Sequence, residues 1–204
     1  KIMNDLLELF HSHFEMRHAR TSILQLTEDS VRYDFFSAVM EKKDLPSYEV
    51  ELESSVAPGA YVPRNNARSK RNENPRLDLA FGDGAERVYV EFALFKRNRV
   101  DNSPINDTEN SFKVLNDMMR LALQIHQTNS RGYFVCVADH TMLGKRLSRS
   151  AHFSAFPAQR YEFDHGVLEE LANLYTVSKK LDPRFMEALR TSVLRVRADK
   201  VFER

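Results

Sequence analysis

Apolar residues recur at Leu6, Leu9, Phe10 and Phe14, the i, i+3, i+4, i+8 spacing that lines one face of a helix. A second helix is predicted from Thr27, whose side chain suits an N-cap. Glu28 and Asp29 follow it, where carboxylates meet the positive end of the helix dipole. Val31, Phe35, Ala38 and Val39 form its apolar stripe, and Pro46 closes the unit. The period then changes to two. Residues 48–56 alternate as a strand, and a loop rich in Asn, Arg and Pro covers 57–75. Two β-rich runs, 76–81 and 87–95, are joined by Gly82-Asp83-Gly84-Ala85-Glu86, a hairpin turn with the glycines it needs.

A polar stretch over 97–110 leads into a helix from about Ser111 to His126, which buries Phe112, Leu115, Met118, Met119 and Ala122. Residues 133–138 are continuously apolar, as in a strand covered on both faces. A short basic helix over 143–149, a strand over 160–163 and helices over 167–180 and 183–197 complete the reading. The order predicts one α/β domain over 1–204: an antiparallel three-strand start, then a crossover helix into a fourth strand. A chain of 204 residues suits a single core, and no internal repeat divides it.

Composition narrows the class. Hydrophobic residues make up 42% and charged residues 29%, as in globular chains. Thirty Lys and Arg against 29 Asp and Glu leave a formal charge of +1, so any polyanion-binding surface is local. Cys136 is the single cysteine, which excludes a disulfide framework and thiolate metal clusters. No window approaches the ~18 apolar residues of a membrane helix. The chain opens on Lys1 with no secretory pattern, and a reducing cytoplasmic location is the expectation.

Two acids interrupt apolar strands. Asp78 lies in Leu77-Asp78-Leu79-Ala80-Phe81, and Glu91 in Val88-Tyr89-Val90-Glu91-Phe92-Ala93. Carboxylates are rarely buried unless paired or metal-bound. Hairpin partners can present both acids to one place, a donor set that suits Mg²⁺ with its remaining water and phosphate oxygens. The alternative is an edge hairpin whose acids face solvent. Glu53 is a third metal acid or a solvent-facing strand residue. Basic residues cluster at Arg64, Arg68, Lys70, Arg71 and Arg76, against Glu73 alone, and again at Lys145, Arg146 and Arg149, with Arg131 nearby. Such loops grip a phosphate backbone or are simply solvated. Asn65, Asn66, Asn72 and Asn74 add side chains that can read base edges. His11, His13 and His18 lack the spacing of a helical zinc pair. Asp117 and Arg120 read as a structural ion pair three apart on one helix face, and Cys136 as a small buried hydrophobe.

With Glu28 in Thr27-Glu28-Asp29-Ser30, Asp78 in Pro75-Arg76-Leu77-Asp78-Leu79 and Glu91 in Val90-Glu91-Phe92-Ala93, the chain resembles the PD-(D/E)XK nuclease superfamily, of restriction-endonuclease-like fold. The resemblance rests on acid positions and element order together, and covers about 22–140. Residues 115–121 also resemble the stretch following the core hairpin in some members. A helical extension over about 141–204 has no counterpart. The resemblance implies a Mg²⁺-dependent DNA endonuclease of restriction or phage-defence type, with Mn²⁺ as a substitute metal. It allows a homodimer or a partner subunit of a defence system. Asp78 and Glu91 would hold the metal, with Glu28 or Glu53 completing the site or orienting water.

The superfamily expects a lysine two residues after the second acid, and this chain has Ala93 there. Lys96 falls on the opposite strand face by parity. Three readings follow: a naturally inactive relative, a lysine relocated to Lys113 on the next helix, or an engineered Lys→Ala, which the sequence reading favours. Ala93 also keeps open a nuclease-derived module that binds nucleic acid or a protein without cleaving, and beyond that a purely structural domain. Replacing Arg68, Lys70 and Arg71 by Ala is expected to weaken DNA binding and to lower its salt slope by about one per lost phosphate contact. Titrations at several salt concentrations check this, and an unchanged slope would show a merely solvated loop.

Overall fold

The four residues expected to line the second helix, Val31, Phe35, Ala38 and Val39, are all fully buried. In the computed structural model, residues 2–62, 74–96, 107–139, 160–163, 166, 169, 182–192 and 196–204 are described. Helices α1 (Ile2–His18) and α2 (Glu28–Lys43) precede strand β1 (Val50–Ser55). The hairpin follows as β2 (Arg76–Phe81) and β3 (Val88–Phe95), then helix α3 (Asp107–Thr128) and strand β4 (Arg131–Ala138). Strand β5 (Arg160–Phe163), helix α4 (Pro183–Ser192) and strand β6 (Val196–Asp199) end the described chain.

The protein is mixed α/β. One sheet has the order β1-β2-β3-β4, with antiparallel pairs up to β3 and a parallel β3–β4 pair. The parallel pair requires a crossover, and α3 supplies it. Helices cover both faces. Leu6, Phe10, Val31, Phe35 and Val39 from α1 and α2 pack on Leu79, Val90 and Phe92. Val114, Leu115, Met118 and Met119 from α3, with Phe185 and Leu189 from α4, pack on Tyr89, Ala93 and Phe95. Alternate residues of β3 therefore serve opposite cores, which is the period-two rule at work. The β2–β3 turn depends on Gly82 at φ 77, where an added Cβ would lie 3.0 Å from the Glu86 carbonyl oxygen.

Local caps follow the sequence. Thr27 is the N-cap of α2, its N–H donating to Ser30 Oγ at 3.2 Å. The helix ends at Asp44, which takes the left-handed conformation at φ 51.

Several boundaries differ from the sequence reading. Helix α3 begins at Asp107 rather than Ser111, because its polar first turn carries no apolar periodicity. Strand β4 ends the sheet among the described residues; Val135 is its one fully buried residue, while Tyr133 and Val137 pack toward the α1–α2 core and Phe134 and Cys136 toward the α3 core, so both faces are covered in part. The last helix stops at Ser192 instead of continuing to Arg197; residues 196–199 form a strand paired antiparallel with β5. A helix-period pattern there lost to cross-strand pairing with a distant segment. The C-terminal region is thus not purely helical. The expected helix over 143–149 lies outside the described residues. No described helix is long and apolar enough to cross a membrane.

Phe35 links the α1, α2 and sheet layers, its ring 5.6 Å from Phe10 and 5.2 Å from Phe92. Phe35→Ala is expected to cost about 3–5 kcal/mol of unfolding free energy through lost burial and a residual cavity. Urea denaturation measures it, and a loss under about 1 kcal/mol would show that the layers close without this ring.

Candidate functional site

The hairpin opens where its acids sit. Pairing between β2 and β3 runs Phe81↔Val88, Ala80↔Tyr89, Leu79↔Val90 and ends there. The same register would next set Asp78 opposite Glu91. Instead the Asp78 carboxylate enters the ladder, Oδ2 accepting the Phe92 N–H at 2.8 Å. On the other side, β1 carries Glu53 at φ 55 between the paired residues Leu52↔Leu79 and Ser54↔Leu77. Strand β2 also changes face here: Leu79 packs with α1 and α2, whereas Leu77 packs with α3. Two residues apart should share a face, so the strand is kinked at Asp78.

Three cations converge on this opening from two helices. From α2, Arg32 donates through Nη2 to Asp78 Oδ1 at 2.7 Å and through Nη1 to Glu53 Oε1 at 2.9 Å. From α3, Lys113 Nζ donates to Asp117 Oδ2 at 2.8 Å and to the Phe92 carbonyl at 3.1 Å, and lies 3.3 Å from Glu28 Oε2. Arg120 donates to Asp117 Oδ1 and to the Arg76 carbonyl, while its Nε lies 2.7 Å from Glu91 Oε1. That last contact is close but misaligned, so among the described residues neither Arg120 Nε nor Glu91 Oε1 has a hydrogen bond.

Glu91 is 1% exposed. Burial pushes its carboxyl well above the ordinary value of 4.5; the Arg120 guanidinium opposes this, and the Asp117 and Asp78 carboxylates reinforce it. Burial also raises Asp117 against the pull of Lys113 and Arg120, and raises Glu28 against Lys113. For Lys113, burial favours the neutral amine, but Asp117 and Glu28 outweigh it and hold the ammonium above its usual range. The thiol of Cys136, paired in register with Ala93, is pushed up to about 12 by burial and is an inert half-buried side chain.

Asp78, Glu91, Glu28 and Lys113 therefore lie around one opening, and among the described residues Glu53 reaches the group through Arg32. Ala93 is fully buried in the core that α3 closes. Asp117 and Arg120 do form an ion pair, yet their link to Glu91 makes them part of this site. Arg32 was missed by sequence reading, although its position one turn after Glu28 puts both on one helix face. Arg76 begins β2 with an exposed side chain, and Arg131 pairs with Glu86 at the turn end of the sheet. Arg64, Arg68, Lys70, Arg71, Lys145 and Arg146 lie outside the described residues. Among the described residues, no three Asp, Glu, His or Cys side chains form a group that could hold a metal ion, because the acids turn to these cations.

Comparison with family models, with curated proteins and with solved structures returns no match.

The raised Glu91 carboxyl sets a pH dependence. The folded state binds this proton more tightly than the unfolded chain, so the associated stability is full below about pH 4.5 and is lost as pH rises through the raised folded value. Glu91→Gln is expected to flatten that fall, its urea midpoint gaining on the wild type with rising pH. A constant difference between the two would show that Glu91 titrates alike in folded and unfolded chains.

Proposed function

We propose that the chain is a divalent-metal-dependent phosphodiesterase that cleaves DNA, built on a core of PD-(D/E)XK type and serving restriction or phage defence. The observation that carries the reading is the opened hairpin, where Asp78 accepts the N–H and Lys113 bonds the carbonyl of Phe92, the residue next to the buried Glu91. The order α2-β1-β2-β3-α3-β4 with its mixed sheet supports it.

The donor chemistry fits a hard cation. Glu91 Oε1 is a buried carboxylate oxygen with no hydrogen bond among the described residues, compensated by Arg120 Nε at 2.7 Å, and Asp78 bonds the N–H of the next residue. The carboxyl groups of Glu28, Asp29, Glu53, Asp78, Glu91 and Asp117 outnumber Arg32, Lys113 and Arg120, and a divalent cation would offset part of that acidic excess. Bound Mg²⁺ or Mn²⁺ would polarise the scissile phosphate and acidify its water. Asp78 and Glu91 would hold the ion, Asp78 kept in place by its bond to the Phe92 N–H. Lys113, fixed by Asp117 and the Phe92 carbonyl, presents a preorganised positive charge to the phosphate oxygens. Glu28, whose proton affinity is raised, stands beside that ammonium and can orient water or take its proton. Lys113 thus serves in the role that Ala93 does not.

A second reading has one observation in its favour. Arg32 and Arg120 already sit on Asp78 and Glu91, as they would in a non-cleaving module that binds nucleic acid or a partner protein.

Plasmid nicking with Mg²⁺ or Mn²⁺ separates the two. Wild-type protein is expected to cleave, Asp78→Ala to be inert, and Lys113→Ala to lose roughly 10²–10³ in rate. Ala93→Lys should gain little because the ammonium is already supplied. Wild-type protein and Ala93→Lys both inert with either metal would establish the non-cleaving module.

A further inference from the structure

The guanidinium of Arg32 bridges carboxylates on two neighbouring strands, Asp78 on β2 and Glu53 on β1. Its third nitrogen is unlike the other two: Nε–H is buried and meets no acceptor among the described residues. A buried donor on a cation, left without an acceptor, costs free energy unless some state of the protein supplies an oxygen. Arg120 differs, because Asp117 and the Arg76 carbonyl hold it whatever happens at Glu91.

Resting on the proposed nuclease reading, we infer that Arg32 is an exchangeable cation: a divalent metal displaces it from Asp78, and its guanidinium then binds a phosphate of the DNA backbone. Three features make the exchange local. Asp78 is fastened through its other oxygen to the Phe92 N–H, so the carboxylate stays in place when Arg32 leaves. Glu53 is half exposed and at the end of a flexible side chain, so it can follow Arg32 or release it to solvent. Arg32 lies one turn from Glu28, which touches Lys113, so a phosphate entering the opening meets cations from α2 and α3 together. Arginine suits this double role because its planar fork matches carboxylate and phosphate alike.

The exchange has two signatures of opposite sign. A positive charge within about 4–6 Å shifts the ionic equilibria of its neighbour by roughly one to three powers of ten. Removing it with Arg32→Gln should therefore tighten Mn²⁺ binding by about tenfold or more, read by electron paramagnetic resonance titration of the whole chain. The same variant should bind a short DNA duplex more weakly in Ca²⁺, with a salt slope lower by about one. A purely structural arginine would move neither quantity in this way.

Equal or weaker Mn²⁺ binding by Arg32→Gln, or an unchanged salt slope, overturns the inference while wild-type Mn²⁺ binding leaves the nuclease reading standing. No Mn²⁺ binding by wild type or variants overturns both. Should Arg32→Gln not fold, Arg32→Lys decides: a single ammonium cannot span Glu53 and Asp78, so a smaller tightening is expected, and none overturns the exchange.

Discussion

A carboxylate enclosed by a sheet and a helix has to be compensated, and Glu91 imposes that requirement on its whole surroundings. Its burial favours the protonated acid, and the Arg120 guanidinium opposes that by Coulomb attraction without a well-aligned hydrogen bond. Arg120 is in turn fixed by Asp117, Asp117 by Lys113, and Lys113 by Glu28 and the Phe92 carbonyl. The network runs from α3 through β3 to the start of α2. Breaking it at one member leaves a charge without its partner, which in a low-dielectric interior costs more than the pair contributes when intact.

The backbone accommodates this network by abandoning regularity at one level of the sheet. Glu53 in the left-handed region, the change of face between Leu77 and Leu79, and the Asp78 side chain bonded to the Phe92 N–H all occur at neighbouring positions. Each is unfavourable in an ordinary strand, and together they leave room between β2 and β3 for side chains. Such local departures, carried by an otherwise consistent fold, are characteristic of sites with a function. Phe92, whose N–H bonds Asp78, packs its ring on Phe35, which packs on Phe10, and so ties the opening to the α1–α2 core.

Arg32, Lys113 and Arg120 also explain how an acid-rich opening coexists with a near-neutral chain. Positive charge is delivered to it by two helices on opposite sheet faces. The result is a group of buried acids already balanced in part by side chains of the protein itself.

Periodicity made much of the fold legible in the chain. The apolar stripe of α2, the glycines of the β2–β3 turn, the crossover helix and the position of β5 follow from spacing, and spacing is local. Asp78 and Glu91 stood out for a related reason, since charge inside an apolar strand is visible without a structure. What pairs with them was not visible. Arg32 and Asp78 are 46 residues apart, and Lys113 meets a carbonyl 21 residues away. The same limit explains the last helix, read to Arg197 from local spacing: it ends at Ser192, and residues 196–199 become a strand through their partner β5. Sequence determined most of the helices and strands and marked Asp78 and Glu91 as charges set within apolar runs. Tertiary structure alone decided which cation compensates each acid, because that depends on distances between segments that no local pattern encodes.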